Sequence, residues 1–169
     1  MKKIILFVLV VAAAFSSCEK DDICDANTGT TPRLIIDFYD VTNPTLTKNV
    51  TNMAIIGVGQ TAPYATYNGV SKIQVPLDIA ANLSKYEFVL NYGNTNTTLV
   101  NTDNLQFNYT RENVYVSRAC GYKTLFTLDN TTPFTQTDAA SLDGLWMQNI
   151  TVIKSDILNE NETHLTISF

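Results

Sequence analysis

The sequence predicts an all-β domain, an antiparallel β-sandwich (immunoglobulin-like) of about seven to eight strands. Three observations predict it. Apolar residues alternate with polar ones in short stretches from Leu34 to Phe169, and a period of two sends successive side chains to opposite faces of a strand. Turn formers (Gly, Pro, Asn, Asp) interrupt these stretches about every 8–15 residues. Beyond residue 17 the chain is rich in Thr and Asn and poor in Ala, Glu and Lys, a composition that favours strands and turns over helices.

Each element follows in order. Leu34 to Tyr39 reads as a strand running into a turn around Asn43-Pro44. Met53 to Val58 is an apolar run closed by Gly57 and Gly59, and a loop with Pro63 and Asn68-Gly69 follows. Ile73, Val75 and Leu77 face one side, with Lys72, Gln74 and Pro76 on the other. Pro76 has no N–H for a ladder, so this strand lies at an edge or ends there. Tyr86, Phe88, Leu90 and Tyr92 alternate with Glu87, Val89 and Asn91; Asn94 to Thr102 is a polar loop. Leu105, Phe107 and Tyr109 open another strand, and Val114–Val116 and Thr124–Leu128 are two more around Gly121. Asp129 to Gly144 is irregular, with one helical turn expected at Asp138-Ala139-Ala140-Ser141 and Asp138 as its N-cap. Trp146 to Ile153 is a strand, Asn159 to Glu162 a turn, and Leu165, Ile167 and Phe169 a closing strand. An outer-membrane β-barrel is the rival architecture, but its strands need about 9–11 residues with an uncharged outer face, and most stretches here are shorter.

The first residues carry an address. Lys2-Lys3, the apolar run from Ile4 to Ala14 and the stretch Phe15-Ser16-Ser17-Cys18 have the layout of a secretory signal, with an apolar region too short to span a bilayer. Small residues ending on Cys18 resemble the lipobox of bacterial lipoproteins, which implies lipidation of Cys18 as the first mature residue. Lys20, Asp21 and Asp22 resemble the surface-export signal of Bacteroidetes lipoproteins; a plain charged tether is the competing reading. The resulting division is a signal peptide at 1–17, a lipidated flexible tether at 18–32 and a domain at 33–169. The implied localisation is the outer membrane, lipid-anchored and facing the exterior.

Charge narrows the partners. The chain has 11 Lys+Arg against 16 Asp+Glu, net −5; losing Lys2 and Lys3 with the signal makes it −7. An acidic chain without a basic run is a poor candidate for nucleic acid, leaving the membrane through Cys18 and an envelope protein or glycan as partners. With Cys18 acylated, Cys24 and Cys120 remain. An even remainder in an oxidising compartment points to one disulfide, against the alternative of two free thiols.

Parts for catalysis are few. His164 is the single histidine, expected on a solvated edge of the last strand. Candidate carboxylate pairs are Asp37 with Asp40 and Glu87 with Glu112, although acids scattered over strand faces usually meet solvent. No phosphate loop, dinucleotide fingerprint, nucleophile elbow or zinc spacing occurs. The reading is therefore no enzyme, no cofactor and no metal. Phe38, Phe88, Leu90, Phe107 and Trp146 are the expected core, with Asp37, Glu87 and Glu112 in solvent.

The segments Thr31-Pro32-Arg33-Leu34-Ile35-Ile36-Asp37-Phe38-Tyr39-Asp40 and Ser117-Arg118-Ala119-Cys120-Gly121-Tyr122-Lys123 resemble an uncharacterised family of small Bacteroidetes outer-membrane lipoproteins. That resemblance implies secretion and lipidation and brings no activity or catalytic residue. Arg118 and Lys123 beside Cys120 form the one concentration of positive charge, either ion-paired with nearby acids or a contact for a small anion or partner. The functional expectation is a non-catalytic, lipid-anchored, surface-exposed envelope protein acting as a binding or structural module. The alternative is a glycan-binding accessory module of a surface uptake system, stacking sugars on Trp146, Tyr64 or Tyr67; a secreted hydrolase is a third class.

Overall fold

The computed structural model describes residues 23–139 and 143–169. These form two facing sheets without an α-helix; a single 3-10 turn lies at Thr97–Leu99. The smaller sheet has four strands, ordered β4 (Lys72–Val75), β1 (Leu34–Tyr39), β11 (Leu165–Ser168), β9 (Asn149–Val152). The larger runs β10 (Asp156–Ile157), β7 (Gly121–Leu128), β6 (Asn101–Ser117), β5 (Leu83–Leu90), β2 (Met53–Gly57), β3 (Ala65–Tyr67), with β8 (Phe134–Asp138) also paired to β6. The sandwich is as expected, and both sheets are open, so the chain is no barrel. Two details differ from the expectation of seven or eight antiparallel strands. Eleven strands are present among the described residues, and the first and last, β1 and β11, pair in parallel, Ile36 opposite Leu165 and Phe38 opposite Ile167.

Alternation fills the space between the sheets. Leu34, Ile36 and Phe38 from β1, Ile73 and Val75 from β4, and Leu165 and Ile167 from β11 meet Met53 and Ile55 from β2, Phe88 from β5 and Leu105, Phe107 and Tyr109 from β6. Phe38, Phe88, Phe107 and Trp146 are buried as expected, while Leu90 is partly buried. β4 ends one residue before Pro76 and is an edge strand, as the missing N–H requires.

Several boundaries differ from the expectation. The separate strands expected at 105–109 and 114–116 are one 17-residue strand, β6, whose polar middle (Thr110 to Asn113) is exposed on both faces and so carries no pattern. β3 occupies the expected loop before Asn68, and β8 the expected irregular stretch. β7 and β8 are one interrupted partner of β6: Tyr109 pairs with Leu128 and Phe107 with Phe134, so 129–133 loop out between two near-continuous segments. Asp138 ends β8; the helical turn expected after it involves Ala140 and Ser141, which lie outside the described residues. Trp146 and Met147 precede β9 as a loop that dips into the core.

Candidate functional site

β6 and β7 continue as a two-stranded ribbon past the last buried pair, Tyr109 with Leu128, to Tyr115 with Tyr122 and Ser117 with Gly121. The tip is a tight turn. Ser117 Oγ accepts the Cys120 N–H at 3.0 Å, and Gly121 sits at φ +70°. A Cβ there would meet nothing within 4 Å, so backbone conformation, not space, calls for glycine.

The N-terminal segment is fastened to this tip. Cys24 and Cys120 form a disulfide with Cα atoms 4.8 Å apart across a sequence separation of 96. From there the chain runs along the outer edge of β7, where Thr31 Oγ accepts the Thr124 N–H at 3.0 Å. It continues the edge that β10 pairs through Thr127 and Phe126, and covering an edge in this way blocks unwanted strand addition. Residues 24–31, expected within a flexible tether, are thus a strap. Arg33 then locks the entry to β1: its guanidinium donates to both oxygens of Glu160, at 2.7 and 2.9 Å. This hydrogen bonding holds the Glu160 carboxyl below its ordinary value.

Arg118 and Lys123 do not converge. Arg118 borders a depression of about 400 Å³ with Ile23, Asp25, Thr28 and Tyr115. Lys123 borders another, of about 390 Å³, with Thr30, Asn159 and Glu160. The ion pairs among the described residues are Arg33–Glu160, Lys48–Asp40, Lys72–Asp37 and Lys154–Glu162, so neither cation is explained by one. Tyr115 and Tyr122 meet edge to face, ring centroids 5.3 Å apart, yet remain 54% and 69% exposed. Cys18, Lys20, Asp21 and Asp22 lie outside the described residues.

The candidate carboxylate pairs are placed separately. Asp37 is largely covered, paired with Lys72 at 3.2 Å and accepting from Thr163 Oγ at 2.6 Å; the expectation of a solvated Asp37 is corrected. Asp40 is engaged in its own turn, where the Thr42 hydroxyl and N–H lower its carboxyl pKa. Glu87 is opposite Asn104 of β6, eight residues and so about 26 Å along the strand from exposed Glu112. Among the described residues no three His, Cys, Asp or Glu side chains gather closely enough to hold a metal.

His164 also corrects the expectation of a solvated edge. It is buried, and its Nδ1 accepts the Ile35 N–H at 2.9 Å. That bond requires an unprotonated Nδ1 and hence the neutral ring with its proton on Nε2. Burial lowers its pKa accordingly. A ring locked as a backbone acceptor between strands is a structural part, not an exposed base.

The carboxylate that sequence reasoning missed is Asp103, fully buried. Its oxygens accept from Gln136 Nε2 at 2.9 Å, Met147 N at 2.9 Å and Trp146 N at 3.4 Å, clasping β6, β8 and the dipping loop. Burial raises its pKa, and the three donors oppose that rise. The signal was present: Asp103 extends the inward row Leu105, Phe107, Tyr109 by one step.

The clasp decides where Trp146 goes. Trp146 is only 7% exposed; its ring stacks on Phe38 at 6.3 Å, meets Phe169 edge-on at 5.3 Å, and donates Nε1–H to Phe88 O at 2.9 Å. Trp146 accordingly presents no face for a sugar. Tyr67 donates its hydroxyl to Gln74 O at 2.9 Å, and Tyr64 is exposed. On the outer face of the larger sheet, two polar rows cross β5, β6 and β8: Lys85–Gln106–Thr135 and Glu87–Asn104–Thr137. They line a groove of about 350 Å³.

The chain belongs to a family of unknown function (DUF6452), whose model matches residues 52–169. Nothing among curated proteins and nothing among solved structures matches it.

Proposed function

We propose that this family member is a non-catalytic, lipid-anchored envelope protein, exported to the outer face of the outer membrane and acting as a binding or structural module. The observation that carries the reading is the Cys24–Cys120 bond. Structural disulfides belong to oxidising compartments, and this one joins the folded domain to a point six residues after the lipobox-like Cys18. A chain held by two or more acyl groups needs no spanning segment, and among the described residues no helix is long and apolar enough to cross a membrane. The test is Cys18→Ser with labelled fatty acid. Loss of label and of detergent-phase partitioning is expected; a variant that stays membrane-bound at mature size contradicts the reading. Alanines at Lys20, Asp21 and Asp22 should keep the anchor but reduce protease access on whole cells.

The alternative, a glycan-binding accessory, draws support from the two polar rows, whose amides, hydroxyls and charges suit hydrogen bonds to a polar chain. Polysaccharide retention abolished by Asn104→Ala with Gln106→Ala would favour it, and equal retention of the variant would count against that groove.

A further inference from the structure

We propose that the end of the β6–β7 ribbon is a membrane-docking surface, seating Ile23, Tyr115 and Tyr122 in the headgroup layer of the bilayer that holds the anchor. The inference rests on the lipid anchor at Cys18. Covalent reach carries it furthest. Cys18 and Cys24 are six residues apart, and extended chain spans at most about 3.6 Å per residue, so the disulfide lies within about 22 Å of the lipidated residue. Because Cys24 is bonded to Cys120, the ribbon tip is covalently kept within that reach of the lipidated residue.

The side chains gathered there suit that position. Ile23 is 83% exposed and borders the same depression as Tyr115 and Arg118. Tyr122 pairs with Tyr115 across the ribbon. Both tyrosines continue the inward-facing rows of β6 and β7, which point into the core as far as Tyr109 and Thr124. Beyond the core those rows have no opposing sheet. Tyrosine, with an apolar ring and a hydroxyl tip, favours the interface between headgroup and acyl chain. Arg118 on the rim supplies a planar donor for a lipid phosphate, while Asp25 on the same rim limits how anionic the surface can be. The contact is therefore aromatic first and electrostatic second.

The test uses the full acylated chain in vesicles of phosphatidylethanolamine and phosphatidylglycerol doped with a headgroup-proximal photoreactive phospholipid. Labelled peptides are mapped after illumination. Label on peptides containing Ile23 and residues 114–123 should exceed label on peptides of the polar outer groove by about tenfold or more if those side chains sit at headgroup depth, where interfacial aromatics reside. Tyr115→Ser with Tyr122→Ser should remove most of that excess while vesicle association, the disulfide and the melting temperature stay unchanged. Vesicle-bound protein labelled evenly, or elsewhere, overturns the docking surface and leaves the anchor standing. Tyrosines shielded instead by a second copy, seen as chain-to-chain cross-links at the tip, also overturn it. Acylated protein that does not associate with vesicles overturns the anchor and the docking together.

Discussion

The sandwich body and the ribbon end are held by different physics. In the body, β1, β4 and β11 face β2, β5 and β6 across a continuous apolar core, with Phe38, Phe88, Phe107 and Phe126 fully buried. Each such side chain contributes roughly 1.5–3 kcal/mol through burial. At the ribbon end, residues 110–115 of β6 are exposed or only partly buried, and order comes from ladder hydrogen bonds, one disulfide and a strap. A two-stranded ribbon alone is marginal in water. The lesson is that the chain stabilises its core by burial and fastens its N-terminal strap to the ribbon tip by a covalent bond, which leaves the end's side chains available for contact.

The largest way to break the contrast is Phe107→Ala. Truncating a buried phenylalanine costs about 3–5 kcal/mol, and chemical denaturation should show body and ribbon losing structure in one transition. Cys120→Ser comes next. Closing a loop of this size contributes roughly 4–5 kcal/mol in the chain-entropy model and usually less in practice, so a loss of about 2–4 kcal/mol is expected. Hydrogen exchange should then separate the regions: faster exchange at 114–124, unchanged protection at Leu105 and Phe107. Uniform loosening would show that the ribbon is energetically part of the body.

A third, smaller effect sharpens the picture of the body by pH. His164 is buried neutral, so its folded pKa lies below the unfolded value of about 6.5. Above pH 6.5 it has no effect on stability. As pH falls from there toward the folded value, the unfolded chain binds the proton first and stability declines. Nearby Glu160 and Glu162 favour the charged ring and Lys154 opposes it, but burial outweighs them. Glu160, lowered by Arg33, adds its own loss only below about pH 4.5. Asp103 has the opposite sign: its raised pKa makes its contribution complete below about 3.8 and lost as pH rises through the folded value. Urea midpoints measured across pH 7 to 5 should therefore fall for the native chain and stay flatter for His164→Gln. Smallest is Arg33→Ala, a partly exposed pair worth about 0.2–1 kcal/mol, visible as a small shift in melting temperature.

How much of this was legible in the sequence also divides along the two regions. The body announced itself wherever one face is apolar: Ile73 and Val75 against Gln74, then Pro76 ending an edge strand, read directly. Where a strand is polar on both faces, as at Thr110 to Asn113 and in β8, period two has nothing to mark, and β6 looked like two strands. His164 was misjudged because it is buried through a partner, Ile35, that only the assembled sheets supply; Asp103 was passed over although its row marked it as inward, because its donors, Met147 and Gln136, come from distant segments. Asp37 lost its expected solvent for the same reason, through Lys72 and Thr163. At the ribbon end the cysteine parity was legible, but the exposure of Tyr115 and Tyr122 was not, since their rows look inward until the core stops.

The most direct test is mass analysis of the mature protein taken from membranes and digested without reduction. An acylated N-terminal peptide beginning at Cys18, joined through Cys24 to the peptide carrying Cys120, is the expected species. An unmodified Cys18 still preceded by residues 1–17, or Cys24 and Cys120 recovered as separate thiols, would contradict the account.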